Sequence, residues 1–276
     1  MTLAPPAATA AEVVDRTCRR TGVLIRELDT PDATLQAADV LRAVWGSVET
    51  IAPPNLLRAV QHTGGYVFGA YDESGVMLAV SVGLLAREGL HSHITGVVPN
   101  GQRRGLGLAL KQHQRAWCLE HGITTVTWTC DPLVRRNVSF NLHALGAHVV
   151  DYLPDHYGPM NDGVNKGDES DRFELHWDLL SPAAQSAEHG RLPWLVSSAP
   201  VAVAEGPDGL PVVHPVRGAA RQVQLPRDIE AVRRVDPQVA KAWRVAVREA
   251  VVGGLTAGAV ITGVTAEGAL VMEVTS

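Results

Sequence analysis

The feature that most constrains this chain is a junction near its middle. An apolar run at 94–98 meets Pro99-Asn100-Gly101. A long stretch follows at 106–121, in which Leu108, Leu110, His113, Trp117 and Cys118 fall on or near one helical face. Gly122 stands where such a helix ends. Strand, tight turn and helix in that order point to a mixed α/β fold. They also put Gln102-Arg103-Arg104-Gly105-Leu106-Gly107 at the start of the helix. The first N–H groups of a helix lack carbonyl partners and lie at the positive end of its dipole. Such a place binds phosphate. Gly105 and Gly107 let the backbone come close to an anion, and Arg103 and Arg104 add cationic charge at its edge. The spacing is not that of a Walker loop, which needs Gly-Lys-Ser/Thr. Nor is it a dinucleotide GxGxxG, because position 110 is Leu.

Strands and helices continue on either side. Residues 23–28 are an apolar run of strand length. Thr30 and Pro31 then supply a cap and first turn for an amphipathic helix to about Gly46, and Pro53-Pro54 opens a second helix. Strands are predicted at 66–71, 76–85 and 91–98, with Asp72-Glu73-Ser74-Gly75 as a hairpin turn. Past the central helix come a strand at 123–129, a short helix at 134–145 and strands at 148–152 and 173–179. A turn-rich loop separates the last two. Residues 1–20 read as a flexible lead-in or a short first helix, 21–180 as the main domain, 181–190 as a linker and 191–276 as a smaller extension. The extension carries predicted strands at 194–204, 211–225, 259–265 and 269–274, with helices at 226–235 and 237–252.

Of the 276 residues, 46% are apolar and 19% charged, enough for a substantial core. A net charge of −5 argues against a duplex nucleic-acid binder. Cys18, Cys118 and Cys130 are widely spaced and offer neither a disulfide framework nor a CxxC metal pair, so no metal site is expected. The Ala/Pro-rich start lacks the pattern of a secretory signal. The longest charge-free run, 250–266, is interrupted by four glycines and is too short to span a membrane. A soluble, cytoplasmic protein is expected.

With Val97-x-Pro99 at the strand end, the spacing Gln102-x-x-Gly105-x-Gly107 resembles the acyl-CoA pyrophosphate loop of the GNAT superfamily of N-acetyltransferases. The element order over about 23–179 is similar too. The resemblance implies an α/β fold with a mixed, mostly antiparallel sheet flanked by helices, here with a small α+β C-terminal extension. It implies acetyl-CoA or another acyl-CoA as co-substrate, and acyl transfer to a small-molecule amine or amino-acid-like acceptor. Val97 and Val98 would offer backbone groups to the pantetheine arm. Gln102, Arg103, Arg104, Gly105, Leu106, Gly107 and Leu108 would hold the pyrophosphate, and Asn137 would add a cofactor contact. Acceptor sites in the family are built from variable loops and often from a partner subunit, so the extension would complete that pocket, shield a sheet edge or form a homodimer contact. Asp131-Pro132-Leu133, Lys111-Gln112-x-Gln114-Arg115, the segment 161–177 and Trp243-Arg244 resemble a bacterial GNAT subgroup with such an extension. There, Asp171-Arg172 reads either as an ion pair or as a place where Arg172 clamps a carboxylate.

The sequence departs from the family at one chemical position. The tyrosine that commonly protonates the leaving thiolate would fall on Leu142, which carries no proton. His143 and Tyr157 are the nearby substitutes, and each also reads as ordinary packing. His91, His93 and Thr95 alternate, so their side chains are expected on one side of the strand. A histidine there suits removal of a proton from an amine. Two other readings stay open. One is a domain that binds acyl-CoA without turnover. The other is a succinyl-CoA enzyme in which Arg135, Arg136 or Arg172 receives the extra carboxylate.

Overall fold

The computed structural model describes residues 6–46, 52–102, 104–158, 168–190 and 192–274. The expected α/β class is what it shows. A larger, mostly antiparallel sheet is flanked by helices, and a smaller sheet is built from the C-terminal segment. The chain forms two compact units, 1–128 with 178–181, and 129–177 with 182–276.

The first unit opens with α1 (Pro6–Thr21) and β1 (Leu24–Glu27). Residues 6–20 are thus helical, the second of the two expectations for this stretch. Ala10, Val13 and Thr17 are buried, and the Thr17 hydroxyl donates to Gln112 Oε1 at 2.6 Å, so tertiary packing holds the helix. In α2 (Pro31–Trp45), Thr30 caps the first turn by accepting from Ala33 N at 3.2 Å, with Pro31 at the first position. After α3 (Pro54–His62) come β2 (Tyr66–Tyr71), β3 (Met77–Ala86), β4 (Gly89–Val97), α4 (Leu106–Glu120) and β5 (Thr125–Cys130). Neighbours from β1 to β4 pair antiparallel. Leu28, Leu41, Leu57, Val67, Val80 and Ile94 form the core with α2 and α3. Val23, Ala70, Leu78, Leu106 and Leu110 form a second cluster that includes α4.

β4 and β5 pair in parallel, over Leu90↔Val126 and His91↔Thr127. Gly89 starts β4 at φ +123, and a Cβ there would run into the Thr125 carbonyl, so only glycine lets the two strands meet at this point. β4 then runs on to Val97 against β3.

The second unit holds α5 (Arg135–Ser139), β6 (His148–Leu153) and β7 (Arg172–Asp178), the last two paired antiparallel. The helix expected over 134–145 is α only to Ser139. It continues as a π-helical turn over Phe140–Ala144. Residues 182–189, expected within a linker, form α6 (Pro182–His189), whose Ala184 and Ala187 are buried. The C-terminal segment adds β8 (Val201–Glu205), β9 (Pro211–Val213), β10 (Arg221–Gln224), α7 (Ile229–Val235), α8 (Pro237–Thr256), β11 (Ala259–Val264) and β12 (Ala269–Val274). Its sheet runs β11-β12-β10-β8-β9. The expected strand at 194–204 is shorter, because only Leu195 makes an isolated bridge before Val201.

Four buried charges organise this second unit. Arg244 of α8 donates to Asp131 Oδ1 at 2.9 Å and to Asp168 Oδ2 at 2.8 Å. Arg233 of α7 reaches Asp131 Oδ2 at 2.6 Å and Asp168 Oδ2 at 2.8 Å. Beside them, Arg248 holds both oxygens of Asp171, at 2.6 and 2.7 Å, and also pairs with Glu169. Tyr152 Oη donates to Asp171 Oδ2 at 2.5 Å. Asp171 therefore takes its cation from α8, 77 residues away, and Arg172 donates instead to the Asp171 backbone carbonyl at 2.8 Å. Burial alone would raise the Asp131 carboxyl, but the Arg244 and Arg233 guanidiniums outweigh it and hold the group at about 2.

Candidate functional site

The junction between β4 and α4 has the predicted strand–turn–helix form. Pro99–Gly101 make one turn of 3-10 helix, closed by Gly101 N donating to Val98 O at 2.8 Å. Val98 N donates to Leu78 O at 3.0 Å, so its N–H is spent on the sheet. Gly105 is the N-cap of α4 at φ +83, in the left-handed region, and gives no side-chain cap. The first intrahelical bond runs from Ala109 N to Gly105 O at 3.0 Å. The N–H groups of residues 106–108 stand ahead of it, at the positive end of the helix dipole. Leu106 is buried in the core and anchors the turn, Gly107 and Leu108 are half-buried, and Gln102 and Arg104 are exposed. Arg103 lies outside the described residues.

Gly107 is the informative residue. A Cβ built on it meets nothing within 4 Å. Glycine inside a helix costs about 1 kcal/mol relative to alanine, and no packing among the described residues asks for it here. The open space lies at the helix start, beside the N–H groups of its first turn. Together these features suit a diphosphate.

Upstream, β4 is not regular. Val82 of β3 faces Ile94, while the adjacent Gly83 faces Ser92, which leaves His93 as the extra residue of a β-bulge. The shared face expected for His91, His93 and Thr95 is therefore lost, since the bulge reverses the alternation. Ser92 turns to Lys111 of α4, whereas Ile94 packs into the cluster with α2 and α3. Thr95 meets Ser81 at 2.9 Å. His91 is half-buried, with Nδ1 3.4 Å from the Thr127 hydroxyl and its ring 6.2 Å from that of His93. His93 is exposed, yet the protein around it desolvates the imidazole enough to pull its pKa below the ordinary value.

The central helix buries more polarity than its periodicity predicts. Lys111, Gln112, Gln114 and Arg115 are all buried, while Leu108, His113 and Trp117 are only half-buried. Arg115 donates twice to Leu179 O, at 2.6 and 3.0 Å. Lys111 Nζ donates to Ser92 Oγ at 2.8 Å and Gln114 Oε1 at 3.0 Å, and lies 3.9 Å from the centre of the Trp128 ring. Burial pushes the Lys111 ammonium down to about 7. Because the folded state holds this proton less tightly than the unfolded chain, Lys111 costs stability below pH 7. That cost disappears as pH rises towards the ordinary lysine value. Denaturant unfolding of the native protein should gain on Lys111→Met by about 1 kcal/mol per pH unit between pH 7.5 and 9.5. A gap that stays constant with pH would contradict the assignment.

In the second unit, Asn137 is exposed on α5, and Leu142 is buried in the π-helical turn. His143 is buried, its ring stacked 3.5 Å from that of Trp194 at an interplanar angle of 10°. Tyr157 is half exposed and its hydroxyl is 2.9 Å from Thr129 Oγ1. The Arg172 guanidinium lies 5.3 Å over the Tyr157 ring, and Tyr157 N donates to Ser170 Oγ at 2.9 Å. Arg136 forms two hydrogen bonds with the Glu230 carboxylate, at 2.5 and 2.7 Å, and Arg135 reaches Ala266 O at 3.2 Å. Among the described residues no cluster of His, Cys, Asp or Glu could hold a metal, and no helix is long and apolar enough to cross a membrane.

No protein-family model and no curated protein matches the sequence. Solved structures do. The chain is similar to the ribosomal-protein-S18-alanine N-acetyltransferase of Escherichia coli at 17% identity, over 56% of this chain and 92% of that one, with a TM-score of 0.48. It is similar to a GNAT superfamily phosphinothricin acetyltransferase of Sinorhizobium meliloti in complex with AcCoA at 15% identity, over 56% and 87%, with a TM-score of 0.47. It is also similar to the IAA acetyltransferase of Bacillus cereus at 15% identity, over 57% and 99%, with a TM-score of 0.44. Likeness of this degree decides neither family nor activity.

Proposed function

We propose that the chain is a GNAT-type acyltransferase that takes acetyl-CoA or a similar acyl-CoA and acylates a small amine or amino-acid-like acceptor. The observation that carries this reading is the uncapped start of α4, where Gly105 is left-handed and Gly107 leaves open space that the fold does not use. The N–H groups of 106–108 hold the pyrophosphate, and Arg103 and Arg104 screen its charge from the rim. Val97, at the end of β4 where among the described residues only β3 still pairs with it, aligns the pantetheine arm, with Asn137 as a further contact.

The β4 bulge gives the reading a base. His93 stands out of the ladder, is exposed, and with its lowered pKa is mostly neutral at pH 7. It takes the proton as the acceptor nitrogen forms its bond to the thioester carbonyl carbon. His91, tied to Thr127, holds the same strand and is the second candidate. When the C–S bond breaks, the thiolate needs a proton. Tyr157 suits this step better than His143, because its hydroxyl is half exposed, whereas His143 is buried under Trp194.

Thiol release from acetyl-CoA, followed across a panel of amines and amino acids, tests the reading. An acceptor-dependent rate that falls at least about tenfold in His93→Ala and in Tyr157→Phe is expected. Tight acetyl-CoA binding with no acceptor-dependent release across the panel would leave a binding domain and overturn the catalytic part.

A further inference from the structure

The C-terminal segment carries a surface that serves neither the acyl-CoA reading nor its own core. Between the exposed side of α8 and β9, the last strand of the smaller sheet, lies an open trough of about 470 Å³ lined by Pro211, Val213, Lys241, Ala242, Val245 and Glu249. Val213 is 59% exposed and Val245 40%, so apolar surface faces outward on both elements. A charge stands at each end of the α8 stripe. Lys241 and Glu249 are eight residues apart, about 12 Å along the helix, too far to pair with each other. Among the described residues neither forms an ion pair.

We propose that this face of α8 is the seam of a homodimer, with the two α8 helices packed antiparallel about a two-fold axis at Val245. The sequence of the stripe is self-complementary in that arrangement only. A two-fold at Val245 sets the residue four before it against the residue four after it. Lys241 then meets Glu249 of the second copy, and Glu249 meets its Lys241, so both charges are used at once. The centre of the seam is Val245 against itself with the small side chain of Ala242 beside it, which lets the helices approach closely. Val213 covers one flank. Parallel packing would set Lys241 against Lys241. Pro211 blunts β9 against addition of another strand, so the helix face is the seam and not the sheet edge. The proposal does not depend on the acyl-CoA reading.

Sedimentation equilibrium of the full chain tests it, with thermal unfolding of each variant as a check on folding. The native protein dimerises, and Lys241→Glu and Glu249→Lys each weaken the dimer by about tenfold or more, because each sets like charges together at both ends of the seam. Combining the two reverses both charges and restores the dimer to within about threefold of the native constant. Val245→Asp, which buries two carboxylates at the axis, gives monomers. A native protein that is monomeric up to about 100 µM overturns the proposal. So does a dimer that Val245→Asp leaves intact, or a double charge reversal no tighter than the single ones.

Discussion

Arg244→Met is expected to lower the unfolding free energy by about 3–5 kcal/mol, more than any other single substitution considered for this chain. Arg244 is 1% exposed and binds Asp131 and Asp168, whose carboxylates are themselves 7% and 6% exposed in their side chains. Removing the guanidinium leaves two buried carboxylates sharing Arg233 as their cation. Burial of the Arg244 side chain works against its charge, yet Asp131 and Asp168 more than reverse that and raise its pKa. Against a typical domain stability of about 5–15 kcal/mol, the loss brings the second unit close to unfolding. The contrast is Arg136→Met. That residue pairs with Glu230 on the surface, at 65% exposure, and its loss should cost no more than about 1 kcal/mol. Urea unfolding followed by circular dichroism separates the two. Equal losses would mean that the buried cluster is not what fixes α7 and α8 to Asp131 and to residues 168–171.

Gly107→Leu is expected to weaken acetyl-CoA binding at least about a hundredfold while leaving stability unchanged or slightly improved. Leucine favours a helix over glycine by roughly 0.8 kcal/mol, and a Cβ at this position meets nothing within 4 Å among the described residues outside its own stretch of helix. A fold-based reason for the glycine therefore predicts no harm from the change. A ligand-based reason predicts that the side chain fills the space where phosphate oxygens meet the helix N–H groups, with loss of close, charge-assisted contacts. Gly105→Leu does not separate these ideas, because its φ of +83 strains any larger residue whether or not a ligand binds. Thermal unfolding and ligand titration of the same preparation decide between them.

Much of this molecule was legible in local sequence. Thr30-Pro31 and Pro53-Pro54 mark helix starts by their own chemistry, and Pro99 to Gly107 marks the strand–turn–helix junction, because caps, proline and glycine act within a few residues. What escaped was long-range. Residues 6–20 could be read as a loose lead-in or a helix, and the packing of α1 against α4 that decides for the helix lies outside local sequence. The polar side of α4 is buried because Ser92, Gln114, Trp128 and the Leu179 carbonyl receive Lys111 and Arg115. Periodicity counts such residues as solvent-facing. Asp171 and Arg172 are neighbours in sequence and invited an ion pair, but the cation came from Arg248. The bulge at His93 depends on a slip against β3 that alternation in a single strand cannot reveal.

The central claim is that the start of α4 holds the pyrophosphate of an acyl-CoA. Calorimetric titration of acetyl-CoA into the native chain tests it most directly, with Gly107→Leu in parallel. The structure predicts one site per chain with a micromolar dissociation constant, and loss of the heat signal in the variant. A native chain that gives no binding heat at near-millimolar acetyl-CoA, or equal binding by both proteins, would contradict it.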